Sequence, residues 1–119
     1  MNYSISIVGT GYVGLSTAVA FAKKGYQVIA STHDSEKAAM INKGIAPFYE
    51  PELQGALKEV VKRKVLKCTL NTEEAVLNSD MSFITVGTPS KPDGSINLQY
   101  IKNSSYEIGE ALKKKETYH

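Results

Sequence analysis

A chain of 119 residues with 42% hydrophobic content is enough for one domain with an ordinary core, and nothing in its composition points to disorder. A formal net charge of +2, with basic residues scattered except for Lys113-Lys114-Lys115, argues against a nucleic-acid partner, since that cluster suits a helix end. The single cysteine, Cys68, excludes an internal disulfide framework; there is no basic leader before the first apolar run, and the longest apolar stretch, residues 15–22, is too short to span a bilayer, so a cytoplasmic protein with no membrane partner is expected.

Residues 3–8 read as a buried strand that runs into Gly9-Thr10-Gly11-Tyr12-Val13-Gly14 and then a helix over residues 12–24. In this GxGxxG pattern Gly9 permits a tight turn, Gly11 lets a pyrophosphate approach the backbone, and Gly14 lets helix and strand pack closely. The phosphate would sit on the free N–H groups at the helix start. Small residues fill the helix and Gly25 stops it. Residues 27–31 form a second strand, after which Asp34-Ser35 cap a helix that runs through Asn42-Lys43 to Gly44.

Pro47-Phe48-Tyr49-Glu50-Pro51 is a bent connector, with Pro51 in the first turn of a helix that reaches about Lys62. Residues 65–69 are a weaker strand. Thr72 begins a capping box ahead of a short helix to Asn78, and residues 81–86 make the next strand. Pro89, Pro92 and Gly94 mark a loop, and residues 98–114 form a last helix. Glu116-Thr117-Tyr118-His119 reads as the run-in to a further strand. The expectation is therefore one dinucleotide-binding domain, residues 1–119, incomplete at its C-terminal end and truncated before the later strands, with an unpaired sheet edge that invites self-association into a homo-oligomer.

This alternation predicts an α/β, Rossmann-like doubly wound parallel sheet in three layers, α/β/α. Ligands bind at the carboxyl ends of such strands, so residues 9–14, 31–34 and 86–89 should converge on one crevice. At the tip of the second strand an acidic residue ordinarily accepts hydrogen bonds from the adenosine ribose, and here the position holds Thr32. Asp34 either substitutes for it or only caps the helix. With His33 and Lys37 nearby, less repels a 2′-phosphate, yet no arginine stands beside Thr32 to grip one. NAD is the expected cofactor, with NADP left open.

The chain resembles the N-terminal domain of the UDP-glucose/GDP-mannose dehydrogenase family. The resemblance rests on Ile7-Val8-Gly9-Thr10-Gly11-Tyr12-Val13-Gly14-Leu15, Ala20-Phe21-Ala22-Lys23-Lys24-Gly25, Ser35-Glu36-Lys37, the stretch from Asn42-Lys43-Gly44 through Tyr49-Glu50-Pro51 to Leu53, and Thr88-Pro89 before Asp93-Gly94-Ser95. It implies that Gly11, Tyr12, Val13 and Gly14 hold the cofactor pyrophosphate, that Lys37 reaches the adenosine side, and that Val86, Gly87 and Thr88 line the nicotinamide-side ribose. Thr32 stands where the family usually has aspartate, and Gly87 where a proline is often found, which should loosen that loop. Lys37 reads equally as a solvated helix lysine.

The resemblance further implies a nucleotide-sugar substrate whose alcohol is oxidised to a carboxylate with two molecules of NAD, through a thiohemiacetal and a thioester on a cysteine in a later domain. Cys68 is not in that setting and reads as a core or edge thiol. No catalytic and no metal-ligating residue is assigned, and the chain alone is expected to be inactive. Two other readings are a standalone nucleotide-sensing domain of the kind that gates potassium transport and half of a hydroxyacid or acyl-CoA dehydrogenase.

Overall fold

The computed structural model describes residues 3–119; Met1 and Asn2, which the expected domain includes, lie outside them. The elements are β1 (Ser4–Val8), α1 (Tyr12–Lys23), β2 (Gln27–Ser31), α2 (Ser35–Asn42), α3 (Leu53–Lys62), β3 (Leu66–Thr69), α4 (Thr72–Leu77), β4 (Met81–Ile84) and α5 (Gln99–Lys114). All strand pairs are parallel and the order is β3-β2-β1-β4. The chain therefore walks outward from β1 to β2 to β3 and then crosses back to the other side of β1. The reversal between β1 and β4 is the switch point at which doubly wound sheets open a crevice.

Side chains alternate across each strand, so the two faces of the sheet have different chemistry. Ile5 and Ile7 of β1, Val28 and Ala30 of β2, and Leu66 and Cys68 of β3 join the core made with Leu15, Ala18 and Ala22 of α1, Ile41 of α2, and Leu57 and Val60 of α3. The opposite face carries hydroxyls. Ser6 Oγ lies 2.5 Å from Ser82 Oγ, and Thr72 Oγ1 of α4 donates to Ser31 Oγ at 3.1 Å. Burying these groups is tolerable because each finds a partner. This is the face on which α4 and α5 pack together.

The outer edge of β3 is covered by a side chain. The amide of Asn42, the last residue of α2, donates to Cys68 O and accepts from Cys68 N–H, both at 2.8 Å, as a neighbouring strand would. At the other end of the sheet, β4 leaves an outer edge without a partner strand among the described residues, and Met81, Phe83 and Ile84 are exposed.

Several boundaries differ from the expectation. The second-face helix α4 is capped by Asn71, whose side chain accepts from Glu74 N–H at 3.1 Å, and Thr72 instead turns inward to Ser31. The helix after the bent connector begins at Leu53, because Leu53 N–H closes a turn on Glu50 O at 3.1 Å. The fourth strand ends at Ile84 rather than Val86. Thr85 N–H still reaches Val8 O at 2.8 Å, but β1 has turned away at Gly9 and offers nothing further to pair with. Residues 116–119 form no strand. Lys115 Nζ donates to Val76 O at 3.2 Å and to Ser79 O, and at 2.6 Å it meets His119 Nδ1, while His119 Nε2 lies 2.7 Å from Ser82 Oγ. The run folds back beneath α4 and β4. Burial and the Lys115 ammonium hold the His119 imidazole below its usual pKa.

Candidate functional site

The carboxyl ends of β1, β2 and β4 open into one cleft of about 1000 Å³. Of the residues that the sequence put forward, Gly9, Gly11, Tyr12 and Val13 line it from the first strand end, Thr32 and Lys37 from the second, and Val86, Gly87 and Thr88 from the third. Gly14 does not line it. A Cβ there would lie 2.2 Å from Gly9 O and 2.5 Å from Thr85 Oγ1, so Gly14 is the contact that seats α1 against the turn and the end of β4.

The other two glycines are needed for different reasons. Gly9 has φ +106° and approaches the carbonyl of Thr85 so closely that a Cβ would meet it at 2.9 Å. Gly11 has an ordinary extended backbone, and a Cβ there would meet nothing within 4 Å. The space beside Gly11 belongs to the cleft, so a ligand can approach the main chain there. Gly11 is also the N-cap of α1, where no side chain caps the helix and no acidic residue stands in its first turn. The first N–H groups of a helix lack intrahelical partners, so this end presents donors and the positive pole of the helix to the cleft. The arrangement fits a bound phosphate. Phe48 of the bent connector reaches back to this point, its ring 5.6 Å from that of Tyr12.

At the tip of β2, Asp34 is a cap. Its Oδ1 accepts from Glu36 N–H at 3.0 Å and Lys37 N–H at 3.2 Å, and its own N–H donates to Thr32 Oγ1 at 3.2 Å. Beside it, His33 Nε2 lies 3.1 Å from Glu107 Oε1, which ties the rim of β2 to α5. The pair is exposed, so it contributes at most about 1 kcal/mol and acts mainly as a tether. Lys37 forms no ion pair among the described residues.

After β4 the chain leaves the sheet as a small turn. Lys91 N–H donates to Ser95 O at 2.7 Å and Asn97 N–H to Pro89 O at 2.7 Å, across a bridge between Ser90 and Ile96. Asp93 accepts from the Ser95 hydroxyl and N–H, which hold its carboxyl below the usual carboxylate range. Gly87 itself has open space around it.

Thr10, within the glycine turn, lines the cleft as expected, and Thr72, Tyr100 and Ser104 also line it and were not anticipated. Tyr100 and Ser104 are one turn apart on α5, so their common face was readable, but what that face meets is set by the crossover to β4. The Thr10 hydroxyl is buried in the glycine turn and has no hydrogen-bond partner among the described residues. Cys68 is remote from the cleft in β3, and burial pushes its thiol up to about 11, which keeps it neutral and inert as a nucleophile near neutrality. Among the described residues no group of three His, Cys, Asp or Glu is placed to hold a metal ion, and no helix is long and apolar enough to cross a membrane.

Comparison with known proteins agrees with this geometry. GDP-mannose 6-dehydrogenase of Pseudomonas aeruginosa is 42% identical over 115 residues, which is 97% of this chain and 26% of that protein. The crystal structure of a ternary complex of GDP-mannose dehydrogenase from the same organism superposes with a TM-score of 0.95 over 97% of this chain and 26% of its own. A UDP-glucose dehydrogenase from the hyperthermophilic archaeon Pyrobaculum islandicum, 35% identical, gives 0.92 over 95% of this chain and again 26% of its own. The chain thus spans about a quarter of the length of these relatives. A model of the UDP-glucose/GDP-mannose dehydrogenase family, NAD binding domain, matches residues 3–118. Because that match includes every strand and helix around the cleft, the chain belongs to the UDP-glucose/GDP-mannose dehydrogenase family, as its NAD-binding domain.

Proposed function

We propose that this chain is the cofactor-holding part of a dehydrogenase acting on a nucleotide sugar, and that it binds NAD across the carboxyl ends of β1, β2 and β4. The observation that carries this is the uncapped start of α1 behind Gly11, open to the cleft in a domain of this family. In this reading the N–H groups of Gly11, Tyr12 and Val13 hold the pyrophosphate, with Gly9 and Gly14 shaping the turn beneath it. Thr32 and Lys37 face the adenosine ribose, and Val86, Gly87 and Thr88 line the ribose on the nicotinamide side. Bound NAD supplies a hydride acceptor. No residue of this chain is assigned to the chemistry on the sugar, so the chain alone holds cofactor without turning substrate over.

The unpaired edge of β4, with Met81, Phe83 and Ile84 exposed, supports association with another copy. A lone unpaired thiol at Cys68 supports a reducing, cytoplasmic setting. The family match and the dehydrogenase relatives favour this reading over a nucleotide-sensing domain.

Calorimetric titration of the 119-residue chain with NAD tests the proposal, with far-UV circular dichroism to establish that it is folded. Saturable binding that Gly11→Ala weakens is the expected result. A folded chain that takes up no NAD would overturn it.

A further inference from the structure

From the charges at the adenosine end of the cleft we propose that this chain accepts NADP as well as NAD, with Lys37 meeting the 2′-phosphate beside a neutral Thr32. The inference rests on the cleft being a dinucleotide site and concerns which dinucleotides it admits.

A carboxylate at the tip of the second strand serves NAD by accepting hydrogen bonds from the ribose hydroxyls, and by the same charge it repels a 2′-phosphate. Thr32 takes that place here and lines the cleft half-buried, its N–H fixed on Thr69 O at 3.1 Å. Its Oγ1 accepts from Asp34 N–H, which leaves the hydroxyl hydrogen free to donate. A hydroxyl donor suits a ribose oxygen and a phosphate oxygen alike, whereas a carboxylate, having only acceptors, suits the ribose alone.

Of the acids at this end, Asp34 lines the cleft and keeps a negative charge at its rim, but its Oδ1 is held in the first turn of α2 by two backbone N–H groups, and Glu107 pairs with His33. Glu36 is exposed and does not line the cleft. Lys37 does line it, half-buried, and has no ion pair among the described residues. An ammonium on a flexible stem meets a phosphate as a point charge, without the forked grip of a guanidinium. The sole arginine, Arg63, caps the end of α3 beside Glu59. The outcome is acceptance of both cofactors rather than selection of NADP.

Calorimetric titration of the full chain with NAD and with NADP, in parallel with Thr32→Asp and Lys37→Gln, decides the matter. The wild-type chain should bind the two within about tenfold of one another, and Thr32→Asp should move the ratio toward NAD by roughly tenfold or more. Lys37→Gln, which keeps much of the side chain's length while removing its charge, should weaken NADP by about tenfold and NAD by less. NADP binding should also fall more steeply with salt than NAD binding. Wild-type chain that binds NAD but takes NADP more than about a hundredfold more weakly would overturn the inference while leaving the NAD site intact. A Lys37→Gln chain that weakens both cofactors equally would remove the role given to Lys37. Failure of a folded chain to bind either would overturn the dinucleotide reading, and this inference with it.

Discussion

Helices α1 and α2 begin at the same edge of the sheet, one after β1 and one after β2, and they treat their first turns in opposite ways. Asp34 caps α2 with two hydrogen bonds, and Glu36 adds a negative charge to its first turn. Helix α1 has glycine at its cap, no side-chain bond and no acid. A side-chain cap is worth about 1 kcal/mol over alanine but only a few tenths over glycine, so the start of α1 forgoes a small stability that this chain secures at α2 and again, through Asn71, at α4. What α1 gains is a set of donors left open to the cleft. One helix start is closed by side chains and the other faces the cleft with its donors open.

The largest effect that separates the two roles should come from the glycines of α1 itself. Gly14→Ala puts a Cβ 2.2 Å from Gly9 O, backbone that cannot swing aside, and should cost about 3 kcal/mol in urea denaturation. Gly11→Ala meets nothing within 4 Å and has a backbone that alanine adopts, so its stability should stay within about 0.5 kcal/mol of wild type. Its NAD affinity should nevertheless fall by roughly tenfold, because a methyl group stands where the pyrophosphate approaches. If Gly11→Ala binds NAD as the wild type does, the uncapped start is not where the phosphates lie.

The far end of α2 sharpens the contrast. Asn42 holds both backbone groups of Cys68, and Asn42→Ala should cost about 2 kcal/mol by leaving an N–H and a C=O unpaired at the edge of β3. Cys68 gives a local readout, since burial holds its thiol near 11 in the intact fold. Native Cys68 should react slowly with iodoacetamide at pH 8, and the substitution should speed that reaction while cofactor affinity is retained. Unchanged alkylation together with unchanged stability would show that the Asn42 clasp contributes nothing to holding β3.

Much of this was readable in the chain, and what was not shares one physical cause. The first strand, the glycine turn and β2 follow from runs of apolar residues and from residue types with narrow backbone or packing requirements, all local. Strand β3 read weakly because it pairs on one side only and its other side is held by Asn42, 26 residues upstream. Asn71 and Thr72 are adjacent and both suit a cap; the choice between them is made by Ser31, with which Thr72 bonds across the sheet. Residues 116–119 read as the run-in to a further strand, but the path they take, with Lys115 drawn to the carbonyls of Val76 and Ser79, is set by contacts distant in sequence. Tyr100 and Ser104 entered the cleft through the crossover to β4, which no local pattern encodes. The glycine turn marked one side of the cleft in the sequence; the wall supplied by α5 depended on contacts distant in sequence.

Asp34 is where the comparison between the two helices is most easily broken. The residue lies two positions past the tip of β2, within the cleft lining, and a carboxylate in that neighbourhood is also what a cofactor ribose would use. The distances assign it to the helix: Oδ1 takes two backbone donors at 3.0 and 3.2 Å, which is the geometry of a cap. Asp34→Ala should therefore destabilise the fold by about 1 kcal/mol, while Asp34→Asn, which keeps an acceptor, recovers most of that loss. NAD affinity of either variant should stay within about threefold of the wild type once the folded fraction is equal, and NADP should gain slightly as a negative charge leaves the rim. The opposite pattern, full stability with NAD binding lost in both, would make Asp34 the ribose ligand. The start of α2 would then belong to the site as much as that of α1, and Thr32 would no longer decide which dinucleotide enters.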